Sequence, residues 1–539
     1  MSVINSSVVF EENKPFSECA LWNLQREFFL SEGVDAWNRQ VPFYVTSNPA
    51  VANNHASILL RFMQDWHCKT DTQQRSFYIL ELGAGSGRFG FYALKRLLAL
   101  QKRLGLEAIN FVYVLTDFTQ NNINYWRQHP AWQPFIKRGL VDFARYDAEH
   151  DIHITLLESG TVLGAGENAM PPELPCMVVA NYVFDSLRHD IFRVQSGELY
   201  AAMTVLSTDE ANLQAQTALQ LNQVDIDYCY QKINGAYYGI EPFDTLLQTY
   251  RDQLDNGHFI LPIGGLRCLQ NLDVLCNNRY LLLAADKGDL ELPQVVKSSA
   301  PGISLHGSFS VQVNFHALTH YTRRNGGDSL QSPLQPGIAT VALLSGMHFA
   351  DLPETRQAVD YCLHYSSPTA LFNVYAYIRD TIEHCPPDTF VALMMMADWD
   401  PHIFNQYVDT LLDKLPECSA VTIQAVITGM PIMADHFYYM PGTIDTLSGI
   451  ALFFQELQDY EQALLYYRKS LAHYGGADHI HYNMGLCYHY LGDNEQATEQ
   501  FEQALRSNPT LDCAQQWLHT LSEKSPPLKY SNGENILCG

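Results

Sequence analysis

The sequence lacks several features that would assign the protein to a broad class at once. Its 12 cysteines include no C-x-x-C pair, which disfavours both a zinc site and a disulfide framework. No apolar run is long enough to cross a bilayer, and the first 13 residues lack the basic start and apolar core of a signal peptide. We therefore expect a cytoplasmic protein with reduced thiols, no bound metal and no membrane partner.

Positive charge is scarce as well. The chain has 33 basic and 58 acidic residues, a formal net charge of -25, and no block of lysines and arginines forms a basic patch. Such a surface repels phosphates, so we expect no nucleic-acid partner. With 47% hydrophobic residues over 539 positions, the composition is that of a globular protein with more than one domain.

Changes in the pattern along the chain divide it into five segments. We predict an N-terminal helical cap (1–75), an α/β domain with a mostly parallel sheet (76–345), a helical connecting region (346–440), a helical repeat with a capping helix (441–523) and a flexible tail (524–539). A polar segment rich in Tyr and Gln, at about 205–262, interrupts the sheet pattern and is interpreted as an insertion or lid. Strands are predicted at 77–82, 110–116, 140–145, 176–180 and 280–285, with a final antiparallel pair at 309–313 and 338–344.

The last helical region contains an internal repeat. Small and aromatic residues recur 34 residues apart in five aligned pairs: Ala451 and Gly485, Phe454 and Tyr488, Ala463 and Ala497, Tyr467 and Phe501, Ser470 and Ala504. Small residues let two helices cross closely and aromatic residues fill the gaps, which is the tetratricopeptide (TPR) pattern. The repeats favour a protein or peptide partner. Because two units make only a short groove, a homodimer is the alternative use.

A glycine-rich turn follows the first predicted strand and precedes a predicted helix. It reads Glu81-Leu82-Gly83-Ala84-Gly85-Ser86-Gly87, and its glycines permit a sharp turn and close approach of the backbone to a ligand. Gly85, Gly87 and Gly90 also satisfy the dinucleotide pattern G-x-G-x-x-G, but that pattern places its first glycine directly after the strand. The register therefore favours S-adenosyl-L-methionine (SAM) over a dinucleotide.

Polar residues end the following strands in positions that suit a nucleoside. We expect the Asp117 carboxylate to bind both ribose hydroxyls and Asp147 to accept a hydrogen bond from the adenine amino group, with a plain turn residue as the alternative for Asp147. Asn181 follows the fourth strand, where the methyl group would be delivered, and helix capping is its alternative. The predicted cofactor-binding residues are Glu81, Gly83, Ala84, Gly85, Gly87, Asp117, Phe118, Asp147, Ala148 and Asn181.

Four ordered segments carry a family resemblance. They are Thr46-Ser47-Asn48-Pro49, the turn at 81–87, Ala180-Asn181-Tyr182-Val183-Phe184-Asp185-Ser186-Leu187 and Val313-Asn314-Phe315-His316-Ala317-Leu318. In this order they resemble the MidA-like methyltransferases, a family that includes the mitochondrial complex I assembly methyltransferase. The resemblance covers about 40–345. It implies a Rossmann-like, seven-stranded class I methyltransferase sheet, SAM as the cofactor and methyl transfer as the activity.

The chain departs from this family at Tyr182, where the family has an acidic residue. Asp185 is then the carboxylate nearest to Asn181 in the same segment, so the resemblance does not identify arginine as the methyl acceptor. As catalytic candidates, Asn181 would orient the acceptor through its carbonyl and Asp185 would pair with a cationic acceptor. Thr46, or its neighbour Ser47, would close the pocket.

These observations together predict a SAM-dependent methyltransferase that acts on a protein substrate recruited in part by the repeats. Two alternatives stay open. One is an assembly or scaffold protein whose SAM-binding domain is not catalytic, and the other is a small-molecule methyltransferase. The sequence identifies neither the methyl acceptor nor the partner of the repeats.

Overall fold

The computed structural model describes residues 7–39, 41, 44–70, 75–214, 219–333 and 337–522. The chain forms two compact units, residues 1–373 and residues 374–539. The first unit extends past residue 345, where the sequence pattern ended the sheet domain, because helix Pro353–Tyr365 packs on helix Pro49–His67. The predicted tail at 524–539 lies outside the described residues.

Strands occur in the first unit, and each takes its number from its place in the chain. They are β1 (Ser7–Pro15), β2 (Ser76–Glu81), β3 (Asn110–Asp117), β4 (Val141–Arg145), β5 (His153–Thr155), β6 (Val162–Gly164), β7 (Cys176–Asn181), β8 (Asp190–Gln195), β9 (Glu198–Asp209), β10 (Asp225–Lys232), β11 (Asn256–Leu261), β12 (Tyr280–Asp289), β13 (Ser304–His306), β14 (Ser308–Ser310), β15 (Val313–Asn314), β16 (Asp328–Gln331) and β17 (Ile338–Ser345).

The helices are numbered in the same way through both units. They are α1 (Leu21–Glu32), α2 (Ala36–Arg39), α3 (Pro49–His67), α4 (Arg88–Leu104), α5 (Gln120–Gln128), α6 (Gln133–Ile136), α7 (Glu210–Gln214), α8 (Glu241–Gln253), α9 (Ile263–Leu275), α10 (Leu292–Val295), α11 (Phe315–Arg324), α12 (Pro353–Tyr365), α13 (Pro368–Asp380), α14 (Pro387–Met396), α15 (Pro401–Asp413), α16 (Ala420–Asp435), α17 (Thr446–Glu456), α18 (Tyr460–Tyr474), α19 (Asp478–Tyr490), α20 (Asn494–Ser507) and α21 (Asp512–Ser522). Across the described ranges, every helix is too short or too polar to cross a membrane.

The main sheet has eight strands: seven follow one another in the order β16-β17-β12-β7-β2-β3-β4, and the two-residue strand β15 pairs with the end of β12. All neighbours are parallel except β17, which is antiparallel to both β12 and β16. When these seven strands are read from β4 to β16 and numbered by their place in the chain, the order is 3-2-1-4-5-7-6. This order confirms the predicted Rossmann-like, seven-stranded fold class. The chain moves outward from β2 in one direction and later in the other, so the switch point lies between β2 and β7.

Five predicted strands correspond to β2, β3, β4, β7 and β12, but one member of the predicted antiparallel pair is wrong. Strand β17 pairs with β16, from Asp328 opposite Leu344 to Gln331 opposite Val341. Part of the predicted partner, 309–313, instead lies in β14, which pairs with β13. The sequence of β16 is short and mostly polar, and an edge strand needs no continuous apolar run.

A second sheet is antiparallel and requires two corrections to the sequence prediction. The predicted helical cap, 1–75, contains α1, α2 and α3 but begins with strand β1, which pairs with β9. The predicted insertion, 205–262, consists largely of the end of β9, β10, α8 and β11, and these strands belong to the sheet β1-β9-β8-β11 with β10 beside β9. The partner of β1 lies about 190 residues later in the chain, so no local pattern could reveal the pairing.

In the second unit, α17 packs on α18, α19 packs on α20, and α21 follows on α20. Ala451, Ala463 and Ala497 are fully buried where the helices meet. A methyl group at Gly485 would lie 2.6 Å from the Phe501 ring. The small residues of the repeat therefore stand where the helix backbones approach closely, as the spacing predicts.

Candidate functional site

The glycine-rich turn lies at the carboxyl end of β2, beside the switch point of the sheet. Leu82 N donates to a carbonyl of β7 (2.8 Å) and Ala84 N to a carbonyl of β3 (2.9 Å), so the turn is fastened to both neighbouring strands. Gly83, Gly85 and Gly87 have φ angles of 57°, 56° and 79°. A side chain would be strained at these positions, so backbone atoms form this part of the site.

Glu81 is the last residue of β2, and its side chain is buried. The Tyr113 hydroxyl donates to Glu81 Oε2 at 3.0 Å. A methyl group at Gly90 would collide with the same carboxyl group. Burial raises the pKa of Glu81 to about 8, and the hydrogen bond from Tyr113 acts in the opposite direction. Glu81 is therefore protonated at neutral pH unless a cation offsets its burial.

Asp117 ends β3 and is buried. Its Oδ1 accepts a hydrogen bond from Thr119 N (2.9 Å), and its Oδ2 accepts one from Asn122 Nδ2 (2.9 Å). Burial raises the pKa of Asp117, while these hydrogen bonds lower it. The Gly85 backbone contributes a further hydrogen bond, so the Asp117 carboxyl group ties the end of β3 to the glycine turn.

Asp147 follows β4 and forms an ion pair with a side chain of α1. Arg26 Nη2 lies 2.8 Å from Asp147 Oδ2, and Asp147 Oδ1 accepts from Glu149 N at 3.2 Å. The Arg26 guanidinium also lies over the Phe118 ring, with its Cζ atom 4.4 Å from the ring centroid. One side chain from the N-terminal helices thus contacts two of the residues predicted to bind the cofactor.

Aromatic side chains of the same helices cover the turn itself. Trp37 of α2 packs on Gly85, where a methyl group would lie 2.7 Å from Trp37 Cε2. Trp37 also stacks on Phe29 of α1, with the ring centroids 5.6 Å apart. Both rings line the cleft above the turn. No sequence motif marked this cover, because it depends on the position of α1 and α2 in the fold.

Asn181 ends β7 and lines the same cleft. Its Nδ2 approaches Thr46 O at 3.4 Å. Thr46 Oγ1 is buried without a hydrogen-bond partner in the described part of the chain, and the Asn181 side chain faces the buried His55 ring. The next residue, Tyr182, has a φ of 53°, held by a hydrogen bond from Tyr182 N to Ala285 O (3.0 Å). Unsatisfied polar atoms beside a left-handed residue are typical of a functional site.

A second carboxyl group lies beside Asp185. Asp286 Oδ2 accepts a hydrogen bond from Asp185 N (3.1 Å), and Asp286 Oδ1 accepts one from Lys287 N (3.0 Å). Burial raises the pKa of Asp185 to about 6. Burial and then the neighbouring charge of Asp185 raise the pKa of Asp286 well above its ordinary range. The pair therefore carries about one negative charge near neutral pH.

Asp286 was missed by the sequence analysis. The predicted strand ends at residue 285, and Asp286 is the next residue. The reasoning that singled out Asp117, Asp147 and Asn181, namely that polar residues after a buried strand face the ligand edge, identifies Asp286 equally well. It was not extended to the fifth strand.

Part of this set of residues lines one cleft above the turn. Six residues singled out from the sequence line it: Ser47, Glu81, Gly83, Ala84, Asn181 and Asp185. The other predicted residues do not line it; they are Thr46, Gly85, Gly87, Asp117, Phe118, Asp147 and Ala148. Within the described residues, no His, Cys, Asp and Glu side chains are grouped so as to hold a metal ion.

The helical repeat of the second unit has a counterpart among known families. Residues 442–509 match the tetratricopeptide repeat model. This match confirms the TPR prediction for the segment that contains α17 to α20. Repeats of this kind build concave surfaces that bind other proteins.

Solved structures similar to the chain include two from Burkholderia thailandensis. One is a COG1565 superfamily member and inferred methyl transferase bound to S-adenosyl-homocysteine (SAH), with a TM-score of 0.39 and 13% identity over 62% of this chain and 88% of that chain. The other is a native structure from the same superfamily, with a TM-score of 0.33 and 13% identity over 62% of this chain and 95% of that chain.

A loganic acid methyltransferase with SAH is more distant, with a TM-score of 0.22 and 12% identity over 48% of this chain and 60% of that chain. No curated protein matches the chain by sequence. At these identities and TM-scores, the similar structures assign no role to any residue of this chain.

Proposed function

We propose that the protein is a SAM-dependent methyltransferase whose substrate is a protein recruited in part by the TPR helices. The observation that carries this proposal is the glycine turn at the end of β2, with the Asp117 carboxylate at the end of adjoining β3. Ligands of open α/β sheets bind at this switch point. A cytoplasmic location is part of the same proposal, and a homodimer formed through the repeats is the alternative use of the TPR helices.

The residues at the carboxyl ends of β2, β3 and β4 suit SAM in their chemistry. The turn offers backbone atoms to the methionine portion, Asp117 offers a carboxylate to the ribose hydroxyls, and Phe118 and Asp147 offer an aromatic face and an acceptor to adenine. SAM supplies a methyl group that its sulfonium has already activated. The protein then has to place the acceptor in line with that group and take up a proton.

The acceptor would be held at the Asn181 side of the cleft. Asn181 lines the cleft, and its Oδ1 is of a type that can accept from an N–H or O–H group of the acceptor. Asp185 lines the same side and can take up the proton, because its pKa of about 6 leaves it largely ionised at neutral pH. Asp286 holds Asp185 in place through the hydrogen bond from the Asp185 backbone.

A scaffold that binds SAM without transferring its methyl group is the second candidate. Two observations favour it: Tyr182 stands where the resembling family has an acidic residue, and Arg26 and Trp37 cover the turn side of the cleft. The two candidates share the binding site and differ only in whether a nucleophile is methylated.

Binding of SAH by the full-length chain tests what the two candidates share. Isothermal titration should detect SAH binding, and Asp117→Ala should weaken it at least about tenfold, because both ribose hydroxyls lose their acceptor. Asp65→Ala is the matched control. Asp65 is a buried carboxylate that accepts from Thr355 N (2.8 Å), so its loss should lower stability and leave SAH affinity unchanged. The proposal is overturned if SAH binds neither to the wild type nor to Arg26→Ala and Trp37→Ala, two variants that remove side chains packed over the site.

Methyl transfer separates the two candidates. The protein would be incubated with tritiated SAM and a panel of peptides that differ only in one central nucleophilic residue. Transfer to any peptide supports the methyltransferase, and Asn181→Ala should reduce this transfer more than it weakens SAH binding. SAH binding without transfer to any nucleophile favours the scaffold.

A further inference from the structure

Arg26 makes with Phe118 and Asp147 the contacts that the proposed function assigns to adenine. A guanidinium is planar, stacks on aromatic faces and carries several N–H donors. That of Arg26 lies 4.4 Å from the Phe118 ring centroid and donates to Asp147 Oδ2 at 2.8 Å. A flat group that stacks on one residue and donates to the other reproduces the ring and the amino group of adenine.

Arg26 belongs to a segment that is docked on the site at several points. Trp37 packs on Gly85 of the turn. On the other side of β3, Asn121 Nδ2 donates to Leu30 O at 3.2 Å. Contacts from α1 and α2 therefore reach both the turn and the helix that follows Asp117, so this segment lies over the nucleoside side of the proposed site.

The two halves of α1 are held unequally. Near its start, Trp22 and Gln25 are buried, and they donate to Phe16 O (2.7 Å) and Phe309 O (2.8 Å). Near its end, Leu30 is 49% exposed. The Arg26 and Asp147 side chains are 37% and 20% exposed, and an ion pair in such a position contributes little to stability. The end of α1 can therefore move while its start stays anchored.

We propose, resting on the function proposed above, that Arg26 is an intramolecular competitor of adenine. The segment from Arg26 to Trp37 closes the nucleoside side of the site, and SAM binds when this segment is displaced. Asn181 and Asp185 belong to β7 and the segment that follows it, and Asp185 N donates to Asp286, so their positions do not depend on this segment. The device therefore controls occupancy by the methyl donor and leaves the groups that face the acceptor in place.

Titration of the full-length protein with SAH tests the competition. Arg26→Ala should bind SAH about three to ten times more tightly than the wild type, since a partly exposed ion pair and its stacking contact no longer oppose the ligand. Trp37→Ala should change the affinity in the same direction. Arg127→Ala is the matched control, because it removes an ion pair with Glu158 (2.6 Å) of comparable exposure elsewhere in the unit. Its SAH affinity should equal that of the wild type.

Hydrogen exchange gives a second measurement that does not depend on a variant. SAH should accelerate exchange of backbone amides at 27–37 and leave those at 21–25 protected. Equal or weaker SAH binding by Arg26→Ala, or slower exchange at 27–37 with SAH, would show that Arg26 holds the ligand, and this inference would then be wrong while the proposed function stands. Absence of SAH binding in every protein, including both uncovered variants, would overturn the two together.

Discussion

Phe29 and Trp37 of the N-terminal helices pack over the glycine turn, whereas Asn181 and Asp185 of the same cleft are polar groups at or just after the end of β7. The turn and this polar pair lie at the carboxyl ends of parallel strands in one sheet. Only the contacts predicted for adenine are taken up by another residue of the chain, Arg26. The ends of the strands thus place the chemical groups, and segments outside the sheet determine which of them a ligand can reach.

Glu81 lines the cleft at the end of β2, and its substitution should have the largest effect on the free energy of unfolding. Its pKa is raised from near 4.5 to about 8 by burial. A group with a raised folded-state pKa stabilises the protein fully below its unfolded pKa, and this contribution is lost as pH rises through the folded value. Glu81→Gln cannot ionise, so its advantage over the wild type in free energy of unfolding should grow by roughly 3 kcal/mol from pH 5 to pH 8.

Chemical denaturation at the two pH values measures this difference. Glu107→Gln, at an exposed position of the same unit, is the control and should follow the wild type at both. The same pH dependence in the wild type and in Glu81→Gln would mean that Glu81 is already ionised in the folded protein. The turn would then carry a charge without any bound cation.

Gly85 measures how tightly the covered turn is packed. Gly85→Ala combines a left-handed φ of 56° with contact against Trp37, and should lower the free energy of unfolding by about 3 kcal/mol. Gly105→Ala is the control for backbone strain alone. Its φ is 67° and nothing lies within 4 Å of the added methyl group, so it should cost about 1 kcal/mol.

When Trp37→Ala is added to Gly85→Ala, the free energy of unfolding should recover most of the difference between Gly85→Ala and Gly105→Ala. Urea denaturation followed by circular dichroism gives all four values. If Gly85→Ala and Gly105→Ala cost the same, Trp37 does not pack on the turn, and the contrast between the covered turn and the polar pair disappears.

Asp185 should produce a smaller effect, on the ratio of SAM to SAH affinity. Its pKa of about 6 means that it ionises as pH rises from 5 to 7. An anion there favours the sulfonium cation of SAM over the neutral sulfur of SAH, so the ratio of SAM to SAH affinity should rise about twofold to threefold over this range. Titrations with both ligands at both pH values should find no such rise in Asp185→Asn. Asp225→Asn, at an exposed position of the second sheet, is the control and should show the same rise in the affinity ratio as the wild type. If the ratio in the wild type does not change with pH, Asp185 does not lie near the sulfur.

The main sheet was predictable because strands buried on both faces are continuous apolar runs in the sequence. The runs at 77–82 and 280–285 correspond to β2 and β12, for example. Strands that depend on a distant partner were not predictable. β1 is half exposed and polar along one face, and only its pairing with β9 makes it a strand.

The site was predictable to the same extent. Glu81 and Asn181 were found because each follows a buried strand, and both line the cleft. Arg26 could not be found in this way. Its partner Asp147 lies 121 residues further along the chain, and a single arginine in an amphipathic helix resembles any solvated residue. Local pattern therefore identifies the groups that a ligand would touch, but not the groups of the chain that compete with it.

Strand β1 gives the N-terminal segment a further consequence. The chain is fixed in the second sheet before α1, and it is fixed again after α2 because α3 packs on α4. A side chain tethered in this way faces its target at an effective concentration of about millimolar or more, which dilution of the protein does not lower. If about one molecule in ten is open, half-saturation requires about ten times the intrinsic dissociation constant of the ligand. If Arg26 competes with SAM as proposed, the pairing of Ser7–Pro15 with β9 would raise the SAM concentration needed for half-saturation.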